Sequence, residues 1–302
     1  MPTPHPLVIT VILNWNGLDH TRECLHSLQR VIYPNQRVII VDNGSEADEA
    51  GALEREFGSF IQVIRNERNL GFAGGANVGI RRALELDAGY VLLLNNDVTV
   101  EPGFLDAMVE FASGHPELAA ACPKAYFAGR PDTLYSAGGR ASIWTGVARQ
   151  IGRGELDSGR YDDPAIVDYA DGLCMLIPAP ALQAVGLLDE DYFAYWEETD
   201  WCFRAREIGL QSYCVPAARV WHKAERSQRA SNEYNFHYRR NAFMFVRKRG
   251  GAGHFAVALL VQGLFYAPLY FIRHPRRIGR ALAELRAVLW HAGNRVRQRP
   301  LL

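Results

Sequence analysis

The first hundred residues alternate between strand patterns and helix patterns, and this alternation limits the fold more than any other feature. Short runs rich in β-branched and apolar residues at Leu7–Leu13, Arg37–Val41, Phe60–Ile64 and Tyr90–Leu94 predict buried strands. Helical patterns lie between them, for example at Ala76–Leu86. Short links between alternating strands and helices favour right-handed βαβ units. We therefore predict an α/β fold with a Rossmann-like, mostly parallel sheet flanked by helices.

The second half of the chain is less regular. Residues 126–168 are rich in Gly, Ser, Asp and Arg, which indicates loops with short strands that could form a lid. Further on, the pattern predicts a strand at Val167–Ile177, a helix at Glu197–Ile208, a strand at Ser212–Val215 and a helix at Asn232–Lys248.

The C-terminal part combines apolar and basic residues. The chain has no net charge, yet from Arg239 onward it carries thirteen Arg or Lys residues and one acid, Glu284. Phe255–Ile272 is almost wholly apolar and approaches the ~20 residues that a membrane span needs. Leu285 and Leu289 lie on an apolar stripe typical of a helix in the membrane interface. We expect contact with a membrane surface and not with nucleic acid; a helical cap packed on the domain is the alternative.

The cysteines and the N-terminus indicate the compartment. The five cysteines are odd in number and contain no Cys-x-x-Cys, so neither a disulfide framework nor a zinc site is predicted. The first residues lack the basic and apolar regions of a signal peptide. We expect a cytoplasmic protein with reduced thiols.

Polar residues follow every predicted strand of the first half. Ligands of parallel sheets bind beyond the carboxyl ends of the strands, and these ends carry Asn14, Asp42, the glycine-rich stretch 69–77 and Asp97. A single polar strand end is usually a turn, but four at one edge predict a binding site. Asp42 could accept a hydrogen bond from a pyrimidine N–H or a ribose hydroxyl. Asp97 offers the oxygen ligands that Mg²⁺ or Mn²⁺ takes when it bridges a diphosphate.

These stretches resemble, in order, the motifs of family 2 glycosyltransferases with the GT-A fold. The resemblance covers about Leu7 to Lys248 and is closest to bacterial rhamnosyltransferase-like members that build surface polysaccharide. The motifs are Val41–Ser45 (VDNGS), Asn69–Ala73 (NLGFA), Leu92–Asp97 (LLLNND), Asp171–Leu176 (DGLCML), Gly186–Glu190 (GLLDE), Phe193–Arg204 (FAYWEETDWCFR), Val220–His222 (VWH) and Tyr238–Asn241 (YRRN).

The resemblance implies a domain division and a location. A GT-A nucleotide-sugar-binding and catalytic domain would occupy residues 5–226. A basic, helical, membrane-associating extension would occupy residues 227–302. The enzyme would work at the inner face of the bacterial plasma membrane.

The resemblance also implies the roles of individual residues. Asp97 and His222 would hold the divalent metal, and Glu198 or its neighbour Glu197 would be the catalytic base. Acceptor binding would involve Asp171, Gly172 and Trp196, although Trp196 could equally be a core residue. The nucleotide-sugar site would comprise Asn14, Asn16, Asp42, Asn43, Asn69, Gly71, Phe72, Asn77, Asn95, Asn96 and Arg239.

Two motifs depart from the family pattern. The usual Asp-x-Asp is Asn95-Asn96-Asp97, so one carboxylate remains and the metal would depend more on the diphosphate. The usual Glu-Asp is Glu197-Glu198, which leaves open which glutamate is the base. Neighbouring residues on a helix point about 100° apart, so we expect only one of them to face the cleft.

The predicted reaction is a single displacement that inverts the anomeric carbon. A metal would neutralise the departing nucleoside diphosphate, and a carboxylate would take the proton of the attacking hydroxyl. We expect a dTDP- or UDP-sugar as donor, with rhamnose or a similar hexose, and a glycan or lipid-linked acceptor. A nucleotidyltransferase would need a basic Gly-rich loop after the first strand, where Asn14–Gly17 stands instead. A catalytically silent nucleotide-sugar-binding protein is the other alternative.

Overall fold

The computed structural model describes residues 5–223, 232–262 and 285–291. A short helical segment occupies 285–291. The strands are β1 (Val8–Asn14), β2 (Gln36–Asp42), β3 (Ile61–Arg65), β4 (Tyr90–Asn95), β5 (Val98–Val100), β6 (Leu118–Phe127), β7 (Arg130–Ser136), β8 (Gly139–Ser142), β9 (Val147–Gln150), β10 (Ala165–Val167), β11 (Cys174–Pro178) and β12 (Gln211–His222). The helices are α1 (Leu18–Leu28), α2 (Glu49–Phe57), α3 (Gly71–Glu85), α4 (Phe104–Ser113), α5 (Ala179–Val185), α6 (Glu197–Glu207), α7 (Asn232–Arg249) and α8 (Ala252–Val261).

A mixed, mostly parallel sheet forms the centre of the protein. Its main path runs β10-β12-β6-β11-β4-β1-β2-β3. β3, β2, β1 and β4 are parallel to one another, and β11 runs antiparallel to β4 and β6. The predicted α/β fold is confirmed. The parallel strands end on one edge, so their terminal polar residues share that edge.

Both faces of the sheet are covered, which explains why its central strands are apolar without alternation. On one face α1, α2 and α4 contribute buried residues such as Leu25, Leu53 and Phe104. On the other face α3 and α6 contribute Ile80 and Trp201. A ligand of this sheet would therefore be expected at the strand ends.

The first four strands occur within one residue of their predicted bounds, but the third helix differs. α3 begins at Gly71, five residues before the predicted Ala76. Its small residues allow a close approach to the sheet: a Cβ at Gly79 would lie 2.2 Å from Val11 Cγ1. Close packing requires small residues such as glycine and alanine in the first turns of α3. These residues weaken the apolar periodicity by which a helix is recognised in a sequence.

The second half differs more from expectation. The strand predicted at Val167–Ile177 is wrong: β10 ends at Val167, β11 begins at Cys174, and a loop at 168–173 separates them. The strand predicted at Ser212–Val215 extends as β12 to His222, with a register shift between Val215 and Arg219. The sequence pattern predicts neither α4 nor β6. The expected short strands in 126–168 are present as β7 to β10.

α7 packs against α6 and the segment that leads into it. Its residues Phe243 and Phe245 share a buried cluster with Tyr192, Trp196 and Phe203. The predicted division between residues 226 and 227 falls in 224–231, which lies outside the described residues.

Basic residues at the end of α7 form ion pairs with acidic residues of the same protein. Lys248 Nζ lies 2.6 Å from Asp189 Oδ2 and 2.8 Å from Asp191 Oδ2, and the lysine side chain is fully buried. Arg249 pairs with Glu207 at 3.3 Å. The apolar run predicted at Phe255–Ile272 is described only to Gln262. Within the described residues, no helix has the length and apolar character to cross a membrane.

Candidate active site

The ends of β1 and β2 form one buried polar network. Asn14 Nδ2 donates to Asp42 Oδ1 at 2.9 Å and to Glu49 Oε2 at 2.8 Å, and Asn14 Oδ1 accepts from Thr21 Oγ1 at 2.7 Å. Ser45 Oγ donates to the same Asp42 oxygen at 2.6 Å. The amide of Asn14 therefore orients the Asp42 carboxylate. Glu49, which no sequence motif indicates, accepts a hydrogen bond from Asn14 and so helps to fix its orientation.

Asn43 holds the loop that leads into α3. Its Nδ2 donates to Asn69 Oδ1 and to the Gly71 carbonyl, both at 3.1 Å, and its Oδ1 accepts from the Leu70 N–H at 3.1 Å. Asn69 Oδ1 also accepts from the Gly71 N–H at 2.8 Å. Gly71 has φ of +76°, a conformation that favours glycine. These residues shape the start of α3, where the Leu70 and Gly71 N–H groups donate to Asn43 and Asn69 side chains.

The remaining predicted nucleotide-sugar residues lie in different surroundings. Asn77 is buried in α3 and bonds the backbone of Leu188 through both ends of its amide, at 2.9 and 3.0 Å. Asn96 donates to Thr21 Oγ1 at 3.0 Å, and Asn16 is exposed with φ of 48°. Asn95 at the end of β4, Phe72 in α3 and Arg239 in α7 are half-buried.

Asp97 and His222 meet although 125 residues separate them in the chain. Asp97 follows β4, His222 ends β12, and Asp97 Oδ2 lies 3.1 Å from His222 Nε2. Burial alone would raise the pKa of Asp97, but the hydrogen bond and charge of His222 outweigh it and leave that pKa lowered. The ring of Tyr135 packs edge-on against His222 at 4.4 Å. The two residues that the family motifs place at one metal site are therefore in contact.

The donor set of this pair fits a divalent cation. Neighbouring ligands of an octahedral ion, each about 2.1 Å from it, lie about 3 Å apart, and Asp97 Oδ2 and His222 Nε2 are already at that spacing. In the described part of the chain, no group of three or more His, Cys, Asp or Glu side chains could hold a metal. The protein would supply two ligands and a diphosphate or water the others.

Glu198 lies against the loop between β10 and β11. A Cβ at Gly172 would lie 3.3 Å from Glu198 Cγ, a tight contact, so the glycine allows the loop and this side chain to approach closely. Asp171 precedes that glycine and accepts from Gln150 Nε2 at 2.6 Å. The predicted acceptor residues Asp171 and Gly172 are thus beside the predicted base.

The two glutamates differ in their surroundings. Burial, with a contribution from the charge of Asp171, raises the pKa of Glu198 to about 7. Glu198 is half-buried, and the Oε2 atoms of both glutamates are buried with no hydrogen-bond partner among the described residues. Glu197 is only 5 % exposed, and burial together with Glu198 raises its pKa well above the ordinary value. A carboxyl group whose pKa is close to 7 suits proton transfer at pH 7.

Trp196 and Asp200 are buried next to the glutamates. Trp196 is 2 % exposed and packs on Tyr238 and Phe245 with ring centroids 5.8 and 5.1 Å apart. The expected structural ion pair of Asp200 with Arg204 is confirmed at 3.0 Å. In this structure both residues are buried and pack or pair with other protein residues beside the glutamates.

Sequence comparison shows the family to which these residues belong. The sequence model described as Glycosyl transferase family 2 matches residues 9–170. The chain is 27% identical over 264 residues to the N-acetylglucosaminyl-diphospho-decaprenol L-rhamnosyltransferase of Mycobacterium tuberculosis, a match that covers 79% of this chain and 83% of that protein. It is 23% identical over 226 residues to the dTDP-rhamnosyl transferase RfbF of Shigella flexneri, covering 71% and 72%.

A solved structure shares the fold. The mannosyltransferase PcManGT from Pyrobaculum calidifontis, in complex with GDP-Man and Mn²⁺, matches with a TM-score of 0.58 and 14% identity over 97% of this chain and 77% of that one. With the matched family and the GT-A fold, the nucleotidyltransferase and the silent binding protein are set aside. The chain belongs to glycosyl transferase family 2 and is a glycosyltransferase that takes its sugar from a nucleotide-sugar.

Proposed function

We propose that this enzyme moves rhamnose or a similar hexose from a dTDP- or UDP-sugar to a hydroxyl of a glycan or lipid-linked acceptor. The observation that carries the proposal is the meeting of Asp97 and His222 at 3.1 Å, on the edge of the sheet where the polar strand ends converge. Two relatives named as rhamnosyltransferases support the choice of sugar. One of them is named for a diphospho-decaprenol acceptor, which supports a lipid-linked acceptor.

The donor side is built from groups that the fold holds in place. Asp42, oriented by Asn14 and Ser45, would accept from the pyrimidine N–H or the ribose. The glycines at the start of α3 would let the backbone come close to the phosphates. Asp97 and His222 would hold a divalent cation, which when bound would neutralise charge on the leaving diphosphate.

The acceptor side centres on Glu198. This carboxylate would take the proton from the acceptor hydroxyl as that oxygen attacks the anomeric carbon from the face opposite the diphosphate. The single attack inverts the anomeric configuration. Glu198 suits this role better than Glu197, because Glu198 touches Gly172 and lies near Asp171, whereas Glu197 is almost fully buried. Asp171 would orient the acceptor.

A donor screen tests the proposal and its metal dependence together. We expect nucleotide release from dTDP-rhamnose or a UDP-hexose in the presence of acceptor, and loss of at least about 90 % of it after chelation, because two protein ligands hold the ion weakly. Mn²⁺ should restore activity better than Mg²⁺, since imidazole nitrogen suits transition metals. Full activity after exhaustive chelation, or a strict requirement for a purine nucleotide, would contradict the proposal.

The membrane contact proposed for the C-terminal part has its own measurement. Leu285 and Leu289 are 54% and 60% exposed, and most of the chain beyond residue 262 lies outside the described part. We expect the full chain to float with vesicles containing anionic lipid, and the Leu285→Gln/Leu289→Gln variant to partition at least about tenfold less, because insertion of the exposed half of each leucine contributes about 1 kcal/mol. Ile32→Gln, which changes a similarly exposed residue elsewhere, is the control. Equal flotation of all three proteins would disprove this contact.

A further inference from the structure

One buried side chain of α7 binds three carbonyl groups of the loop that precedes the glutamates. Asn241 is fully buried, and its Nδ2 lies 2.8, 2.7 and 2.8 Å from the carbonyl oxygens of Tyr192, Ala194 and Tyr195. Arg240 Nε donates to Asn241 Oδ1 at 2.8 Å and so holds the amide in this orientation. An amide nitrogen has two hydrogens, so the three carbonyls share them.

The loop that Asn241 binds is strained. Phe193, Tyr195 and Trp196 have φ values of 64°, 73° and 77°, a region that non-glycine residues avoid. Among the described residues only two other non-glycine residues, Asn16 and Asp87, have positive φ. Such a conformation persists only where surrounding contacts enforce it. The three bonds from Asn241 are contacts of that kind.

The same loop joins the donor side to the base. At one end the Phe193 carbonyl accepts from the Ala73 N–H at 3.2 Å, and a Cβ at Gly71 would lie 2.5 Å from Phe193 Cδ2. At the other end the Trp196 carbonyl accepts from the Asp200 N–H at 2.8 Å and starts α6. Glu198 is the second residue of α6. A change in the loop would therefore alter the distance between the start of α3 and the Glu198 carboxylate.

We propose that Asn241 is a positioning residue for the transfer reaction, which holds the 193–196 loop so that Glu198 faces the donor bound at α3. The inference rests on the proposed function, in which Glu198 is the base. Asn241 touches neither substrate; it acts through the loop alone.

The experiment compares Asn241→Ala and Asn241→Ser with a control from the same helix. Val246→Ala also shortens a buried side chain of α7, but Val246 packs close to Gly146 and its side chain makes no hydrogen bond to the loop. For Asn241→Ala we expect kcat to fall roughly a hundredfold, the loss that a displacement of about 1 Å produces. The donor KM and the Kd for the nucleoside diphosphate should change far less than kcat, since the hydrogen bonds at Asp42 do not involve the loop. Asn241→Ser, which keeps one donor, should fall between Asn241→Ala and wild type.

The control separates positioning from stability. If Val246→Ala has the same melting temperature as the Asn241 variants but a kcat near that of wild type, the positioning role stands. Equal losses of kcat in both, or a raised donor KM with unchanged kcat, would overturn it. Should Asn241→Ala fail to fold, the Asn241→Ser variant carries the same comparison. Failure of the proposed function is seen separately, as full activity of Glu198→Gln in an otherwise wild-type chain.

Discussion

Replacing Glu198 with Gln should lower kcat by about three orders of magnitude, within the range expected for loss of a general base. The substitution keeps the size of the side chain and its space beside Gly172, but the amide cannot take a proton from the acceptor. The donor KM should change little, because Glu198 contributes nothing to the polar network around Asp42. Initial rates of nucleotide release and of glycan formation measure both quantities.

Glu197→Gln is the matched control for this prediction. It makes the same chemical change one residue earlier, at a side chain that is 5 % exposed, and should retain activity within about tenfold of wild type. If Glu197→Gln is the inactive variant and Glu198→Gln the active one, Glu197 is the base. Neither variant should be less stable than wild type. A carboxyl whose pKa is raised in the folded state is destabilising at a pH where it ionises, and glutamine removes that ionisation.

The pH profile of the wild-type enzyme gives a second readout of Glu198. Since the pKa of this group is about 7 and the base acts when deprotonated, kcat/KM should rise about tenfold per pH unit below 7 and level off above it. Burial of the carboxylate raises this pKa most, and the charge of Asp171 on the neighbouring loop adds to the rise. A rate that is constant from about pH 5 to pH 8 would exclude Glu198 as the base.

Replacing Asp97 with Asn should reduce kcat/KM by about a hundredfold or more, equivalent to about 3 kcal/mol of transition-state stabilisation. The introduced amide would keep the volume and could still bond His222, but it would lack the charge that a divalent cation requires. The Mn²⁺ concentration for half-maximal activity should rise at least about tenfold, because one of two protein ligands is weakened. Titration of activity against Mn²⁺ at saturating donor measures this shift.

Asn96→Ala provides the comparison for Asp97→Asn. It removes a side chain from the same turn, where Asn96 Nδ2 donates to Thr21 Oγ1, but leaves the carboxylate and imidazole pair intact. The Mn²⁺ dependence of this variant should match that of wild type. A normal Mn²⁺ dependence in Asp97→Asn would remove Asp97 from the metal site.

The fold of the first hundred residues, which carry β1 to β4, is largely predictable from the sequence, because local residue patterns determine these strands. A run such as Val38–Val41 is buried on both faces, so its apolar residues are contiguous and the strand is easily recognised. Residues at the strand ends, such as Asp42 and Asp97, then lie at one edge of the sheet by topology alone. The predicted α3 is too short because its glycines obscure the helical period.

The fold after about residue 126 depends on contacts between residues that are distant in the sequence, and no local pattern predicts such contacts. The prediction of one strand at Val167–Ile177 was wrong because the apolar residues on both sides of Asp171-Gly172 belong to different strands, whose pairing partners are β12 and β4. The sequence also does not predict that Asn14 bonds Glu49, or that Asn241 donates to the carbonyls of the loop that precedes Glu198. The motif Tyr238–Asn241 signalled that these residues matter, but not how.

The reliance of the 193–196 loop on α7 has a consequence for synthesis of the enzyme. The sheet can assemble once the chain has been translated through β12, yet Asn241 and the buried Lys248 that pairs with Asp189 are made some twenty residues later. A nascent chain that stops before α7 would lack the hydrogen bonds from Asn241 to the loop that precedes Glu198. If Glu198 is the base, as proposed, sugar transfer would have to wait until α7 has left the ribosome and packed on that loop.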